Sequence, residues 1–241
     1  MPDSGAPPPP VAPLSHVVPW RNALAWYEEA MRLFKFAPLA STGLSLVTIA
    51  TELVLKAAPG ALSLTAEIVA PLVACSLIYA AAAADRREAP SLRLVGLVFF
   101  AGGNAMVAVI ASSLVAFVAE ALAGWWIADA NLLLLEGTPA LSVTEFFGVY
   151  AIVTLAALPV TFVPPLVLFG RLRLRAAFAA SFVAFAQNTV PLLVYGLAAL
   201  VLLAFALLTA GLGLVVALPL WAAASYAAWK DVFGIRDAPT F

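Results

Sequence analysis

Charged residues fall in clusters along this chain, at Arg21 to Lys35, Glu52 to Glu67, Asp85 to Arg93, Glu120 to Glu145, Arg171 to Arg175 and Lys230 to Asp237. The stretches between them are apolar and nearly free of charge. Because a helix needs about 20 apolar residues to cross the hydrocarbon core, this pattern predicts six spans, at roughly 38–57, 63–84, 94–118, 146–170, 189–209 and 212–229. The last two are separated only by a turn at Thr209, Gly211 and Gly213, but an apolar run twice the length of one crossing requires a hairpin. The expected fold is therefore all-α: a polytopic membrane helix bundle of six transmembrane helices with one or two in-plane amphipathic helices.

The first in-plane helix is predicted over residues 20–36. Trp20, Ala23, Leu24, Tyr27, Met31 and Phe34 recur at helical spacing, opposite Arg21, Glu28, Arg32 and Lys35. Glu28 and Arg32 have the spacing of a favourable i,i+4 pair, and Pro38 ends the helix at Ala37. Residues 175–188, with Phe178, Phe182 and Phe185 on one face, read as a second in-plane elbow or as the interfacial start of the long fifth span. Residues 1–19 are rich in proline and read as a disordered tail, 20–234 as the six-span membrane domain and 235–241 as a second tail. His16 is read as a solvated histidine of the first tail.

Composition agrees with the pattern. Of 241 residues 64% are hydrophobic and 10% charged, and mean hydropathy is +1.06, against roughly 25% charged in soluble domains. The lysines and arginines set the orientation. With the first residues in the cytoplasm, eleven of the twelve basic residues fall inside and only Lys56 outside. Both termini are accordingly expected to be cytoplasmic, and the loop from about 119 to 145, with Glu120, Asp129, Glu136 and Glu145, is expected outside as a solvated acidic loop. Trp125 and Trp126 fit its membrane interface, and Leu132 to Leu135 suit a short helix lying back on the membrane.

Few positions carry chemistry. One histidine and one cysteine argue against Cys/His metal clusters and Cys/His catalysis, and there is no Walker loop, GxSxG or HExxH. No catalytic, cofactor or metal site is assigned, and no nucleic acid is expected as partner. Arg86, Arg87, Arg93, Arg171, Arg173 and Arg175 read first as a topology signal and second as contacts for an anionic lipid. Asn104, after Gly102 and Gly103 and near the middle of the third span, is a candidate intramembrane polar contact: a packing amide, or a contact for a transported solute. Glu52 and Lys56 are expected to pair at the interface. Prolines mark the second, fourth and sixth spans, and LPVTFVPP from Leu158 to Pro165 is expected to break the fourth.

The segments WRNALAWYEEAMRLFKFAPL, PLVACSLIYAAAAADRRE, SFVAFAQNTVPLLVYGL and SYAAWKDVFG resemble an uncharacterised family of six-span bacterial inner-membrane proteins. More distantly, the chain is similar to the membrane domain joined to some glycerophosphodiester phosphodiesterases, although no such catalytic domain is present. The resemblance implies a multi-pass protein of the bacterial inner membrane and brings no activity with it. The primary expectation is a non-enzymatic membrane protein that organises lipids or supports another membrane protein. The alternative is a transporter or permease for a small apolar or lipid-like molecule, which a water-lined cavity between the third and fourth spans would favour over a solid bundle.

The chain also contains a candidate duplication. Pro38, Leu39, Gly43 and Leu44 recur as Pro191, Leu192, Gly196 and Leu197, Pro71-Leu72 as Pro219-Leu220, and Tyr79-Ala80-Ala81 as Tyr226-Ala227-Ala228. This predicts two parallel units of elbow, span and kinked span, over 30–85 and 183–231.

Overall fold

The computed structural model describes residues 13–130, 132 and 141–241. Glu136, Thr138 and most of Leu132 to Leu135 lie outside the described residues. All regular structure among the described residues is helical. In chain order the helices are α1 (Asn22–Phe36), α2 (Pro38–Lys56), α3 (Ala66–Asp85), α4 (Leu94–Phe100), α5 (Gly103–Ala128), α6 (Val143–Ala157), α7 (Val163–Leu168), α8 (Leu174–Gln187), α9 (Thr189–Leu208) and α10 (Leu214–Val232), with 3-10 turns at Gly60–Thr65 and Leu158–Val160. Five segments are long and apolar enough to cross a membrane: 38–56, 60–85, 103–128, 143–168 and 189–208. Large apolar side chains on these segments, including Leu53, Leu122, Leu197 and Val201, are exposed on the outside of the bundle, as lipid contact requires.

α10 has 19 residues but carries Ser225, Tyr226, Trp229, Lys230 and Asp231, and it falls outside that group of five. It packs against α1, α2, α3 and α9, and most of its side chains are buried. A helix surrounded by other helices has no need of a continuous lipid-facing surface, which explains its lower hydropathy.

Two boundaries differ from expectation. The third crossing runs over 103–128 rather than 94–118, because Gly102 takes φ 91° and separates the short α4 from α5. Glu120, expected in a solvated loop, lies within α5, where it accepts a hydrogen bond from Tyr150 Oη at 3.1 Å. The fourth crossing starts at Val143, behind a capping box in which Ser142 and Glu145 satisfy each other's backbone N–H groups.

The fourth crossing is broken where its prolines lie. α6 ends at Ala157, a 3-10 turn covers Leu158–Val160, and α7 resumes at Val163. Backbone groups freed inside a membrane need partners, since no water is there to take them. Ser181 of α8 supplies both: its fully buried hydroxyl donates to Pro159 O at 2.8 Å and accepts from Phe162 N at 3.3 Å.

The packing faces of the two elbows also differ from the large-residue stripes. α1 buries Ala23, Trp26, Ala30 and Leu33, while Leu24 and Met31 remain exposed. α8 buries Ala177, Ser181 and Ala184, with Phe182 half exposed. Small residues allow close approach to the bundle, and Trp26 and Leu33 pack in beside them on α1, while Leu24, Met31 and Phe182 are left facing outward. The expected Glu28–Arg32 pair is replaced by Glu29, whose carboxylate accepts from Arg32 Nε at 2.7 Å.

The expected disorder of residues 1–19 does not extend to Pro19. His16 N donates to Val232 O at 3.0 Å and Ser15 Oγ to Gln187 Oε1 at 2.8 Å. The fully buried Asn188 accepts from Val18 N at 2.8 Å and donates to His16 O at 3.0 Å. The His16 side chain itself is exposed.

Elbow, crossing and kinked helix occur twice, as α1–α2–α3 and α8–α9–α10. Each elbow meets its crossing at one bent residue, Ala37 (φ −146°, ψ 66°) or Asn188 (φ −126°, ψ 34°). Pro71 is the sixth residue of α3 and Pro219 the sixth of α10. Both units start and finish at the same end of the bundle, since Asp85 ends α3 beside Lys230 at the end of α10.

Replacing Ser181→Ala leaves Pro159 O and Phe162 N without their partner. Unfolding in detergent should show a loss of about 1–3 kcal/mol. Unchanged stability would mean that the break is satisfied in another way.

Candidate functional site

The two ends of the bundle differ in charge. At one end Lys56 Nζ lies 3.3 Å from both Glu52 and Glu67, so the expected pair is present and a second carboxylate joins it. Most other basic residues gather at the opposite end, where α3, α7 and α10 finish and α1, α5 and α8 begin.

The basic end is organised around Asp85. Its carboxylate accepts from Lys230 Nζ at 2.6 Å and Tyr226 Oη at 2.8 Å, and Arg32 lies 3.5 Å away. One side chain thus ties α1, α3 and α10 together. Glu29, hydrogen-bonded to Arg32, raises that guanidinium above its ordinary pKa. Asp231 accepts from Asn22 Nδ2 and Trp26 Nε1, both at 2.8 Å, and fixes the other half of α1. Between these groups lies an open cavity of about 610 Å³, lined by His16, Glu29, Lys230, Asp231 and Arg236 among others. Its charges are of both signs, and three of its ionic groups, Glu29, Lys230 and Asp231, already have partners within the protein.

The residues after α10 fold back across this end. Phe241 packs edge-on to Tyr79 with centroids 4.9 Å apart, and Arg86 lies 4.2 Å above the Phe241 ring. Arg86 also donates to Pro239 O and to Glu88 Oε2, and it holds the Glu88 carboxyl below its usual pKa. Phe169 is met edge-on by Tyr79 at 5.5 Å and by Tyr226 at 6.0 Å, the two tyrosines that correspond in the repeated units.

Asn104 is not near the middle of its helix. The break at Gly102 places it in the first turn of α5, level with the α7–α8 loop. Its Nδ2 donates to Leu172 O at 2.9 Å and its Oδ1 accepts from Leu174 N at 3.0 Å. The amide therefore pairs with this loop as a neighbouring backbone would. Leu172, 1% exposed, is driven into the core, and Arg171 takes a left-handed φ of 51°.

Together these restraints place Arg171 and Arg173 on one cavity of about 600 Å³, with Asn104, Tyr79, Phe100 and Phe241. Arg171 and Arg173 are exposed and form no ion pair among the described residues. Of the six candidate arginines, these two share a cavity. Arg86 is committed to Glu88, Pro239 and Phe241, whereas Arg87, Arg93 and Arg175 do not line this cavity.

A third cavity, of about 310 Å³, lies among α3, α5, the broken fourth crossing, α9 and α10. Pro71 of α3 and Pro164 at the start of α7 are in its wall. Three of its hydroxyls point back into their own helices: Ser112 Oγ donates to Val109 O at 2.8 Å, Ser113 Oγ to Ile110 O at 2.9 Å and Thr161 Oγ1 to Ala157 O at 3.2 Å. The space offered is mainly apolar, neither a water-lined path nor a solid bundle.

Sequence reasoning found the arginines and Asn104 but missed Asp85 and Phe241. Asp85 was hidden in a charge cluster, and no local signal pairs Phe241 with Arg86.

Asn104→Leu removes two hydrogen bonds from the loop and should raise its local opening about tenfold or more. Trypsin cleavage after Arg171 and Arg173 in lipid nanodiscs reads this directly. An unchanged rate would show that Leu172 alone holds the loop.

In comparisons with family models, curated proteins and solved structures, nothing matches this chain.

Proposed function

We propose that this chain is a non-enzymatic integral membrane protein that binds and organises anionic lipid at its basic end. The observation that carries the reading is the pair Arg171 and Arg173, without carboxylate partners among the described residues, at a cavity with aromatic and aliphatic walls. A guanidinium presents a planar fork of donors that matches phosphate oxygens, and two of them beside apolar walls suit a headgroup with the first part of its chains. α10 serves as a sixth crossing, and α1 and α8 lie in the headgroup layer. The basic end then faces the cytoplasm by the bias of lysine and arginine, as in a bacterial inner-membrane protein.

The alternative reading, carriage of a small apolar or lipid-like molecule, draws on the apolar cavity beside Pro71 and Pro164. It adds movement to the same lipid chemistry.

Two measurements test this. Native mass spectrometry of the purified protein should show bound phosphate-headed lipid, and Arg171→Gln with Arg173→Gln should weaken that binding about tenfold or more, in a salt-dependent way. Binding unaffected by the double substitution would remove the site. For orientation, a cysteine at Pro59→Cys should react with an impermeant reagent on intact cells and one at Glu88→Cys should not, and the opposite pattern would invert the topology.

A further inference from the structure

The arginine-lined cavity and the apolar cavity are stacked along the same three walls. On α3, Tyr79 borders the first cavity, and Cys75 and Pro71, one and two turns away, border the second. On α5, Ala105 borders the first, and Val109, Ser112 and Ala116 continue along the same face into the second. On the fourth crossing, Leu168 borders the first, and Pro164 and Thr161 follow in the second. On every wall the step between cavities is one helical turn. From Ala105 to Ala116 the track descends about 16 Å.

The chemistry changes along it. At the mouth are two guanidiniums without ion-pair partners among the described residues. Below, Cys75 Sγ lies 3.4 Å from Pro71 O and the hydroxyls of Ser112, Ser113 and Thr161 are bonded to their own helices, so these three walls present mainly carbon. The lower cavity of about 310 Å³ extends from Val109 to Ala116. Over that rise of about 10 Å it offers room for a hydrocarbon chain.

We infer that one phosphate-headed lipid occupies both cavities, its phosphate held by Arg171 and Arg173 and a single chain lying in the track between α3, α5 and the broken fourth crossing. This rests on the anionic-lipid reading above and adds that head and chain are bound together. The charge of the mouth selects the lipid, and the track fixes where its chain goes.

The test uses the full chain in nanodiscs with a phosphatidic acid that carries a photoreactive group in mid-chain. Diacylglycerol with the same chain is the neutral control, and inorganic phosphate is the competitor. The expected result is adducts on Ala74 to Ile78, Val109 to Ala116 and Ala157 to Pro164, reduced about tenfold by Arg171→Gln with Arg173→Gln. Excess inorganic phosphate should leave them in place. Equal labelling of the outward-facing Leu197 and Val201 would overturn the inference, because it would mean ordinary bilayer contact. Equal track labelling by diacylglycerol would overturn the coupling of head to chain, and loss of the adducts to inorganic phosphate would assign the mouth to a free anion. Phosphate-headed lipid retained in native mass spectrometry without track adducts would sink this inference and leave the headgroup reading standing.

Discussion

The constraint on which this structure depends is that a backbone inside a membrane must satisfy its own hydrogen bonds. An unbroken helix does so automatically, and at three of the breaks a polar side chain from another element takes up the freed backbone groups. Ser181 bridges the interruption between Pro159 and Phe162. Asn104 pairs with both sides of Leu172 in the loop before α8. Asn188, at the bend before α9, holds the extended segment around His16 and Val18. Each of the three is a small polar residue on one element that completes the backbone of another. With such partners the irregular stretches form fixed walls around cavities.

Charge follows a second rule, that an ionic group in low dielectric persists only with a partner. Asp85 meets this with Lys230, Tyr226 and Arg32, and it joins three helices by doing so. Lys56 meets it at the opposite end with two glutamates. Arg171 and Arg173 are exposed and have no such partner among the described residues, so water or an outside anion is left to solvate them.

Most of the helix plan was legible in the sequence because hydropathy and proline spacing act locally. The turn at Thr209 to Gly213, the break after Leu158 and the elbow before Pro38 all came from such signals. Where reading failed, the decisive partner was distant. α10 is less apolar than its neighbours because helices surround it, which its own residues do not state. The periodicity of α1 marked a broad apolar surface, but packing selected the stripe through Trp26, and only Asp231 and Tyr195, far along the chain, explain that choice. Gly102 and Gly103 were visible as a pair, but their use as a break rather than as a close-packing surface moved Asn104 from mid-membrane to the end of the bundle. The capping box at Ser142 and Glu145 was present in the sequence and was obscured by reading Glu145 only as a charge.

The left-handed turn at Arg171 has a consequence for how this protein can change. Left-handed backbone costs a residue with a side chain about 1 kcal/mol that glycine does not incur. Arg87, at the end of α3, has the same conformation. Glycine at position 171 would relax the turn and remove a cation from the mouth in one step, so stability and ligand attraction oppose each other at this residue. Variants selected for heat resistance alone would therefore tend to lose charge here, and an arginine retained under such selection would mark a protein still held to its ligand.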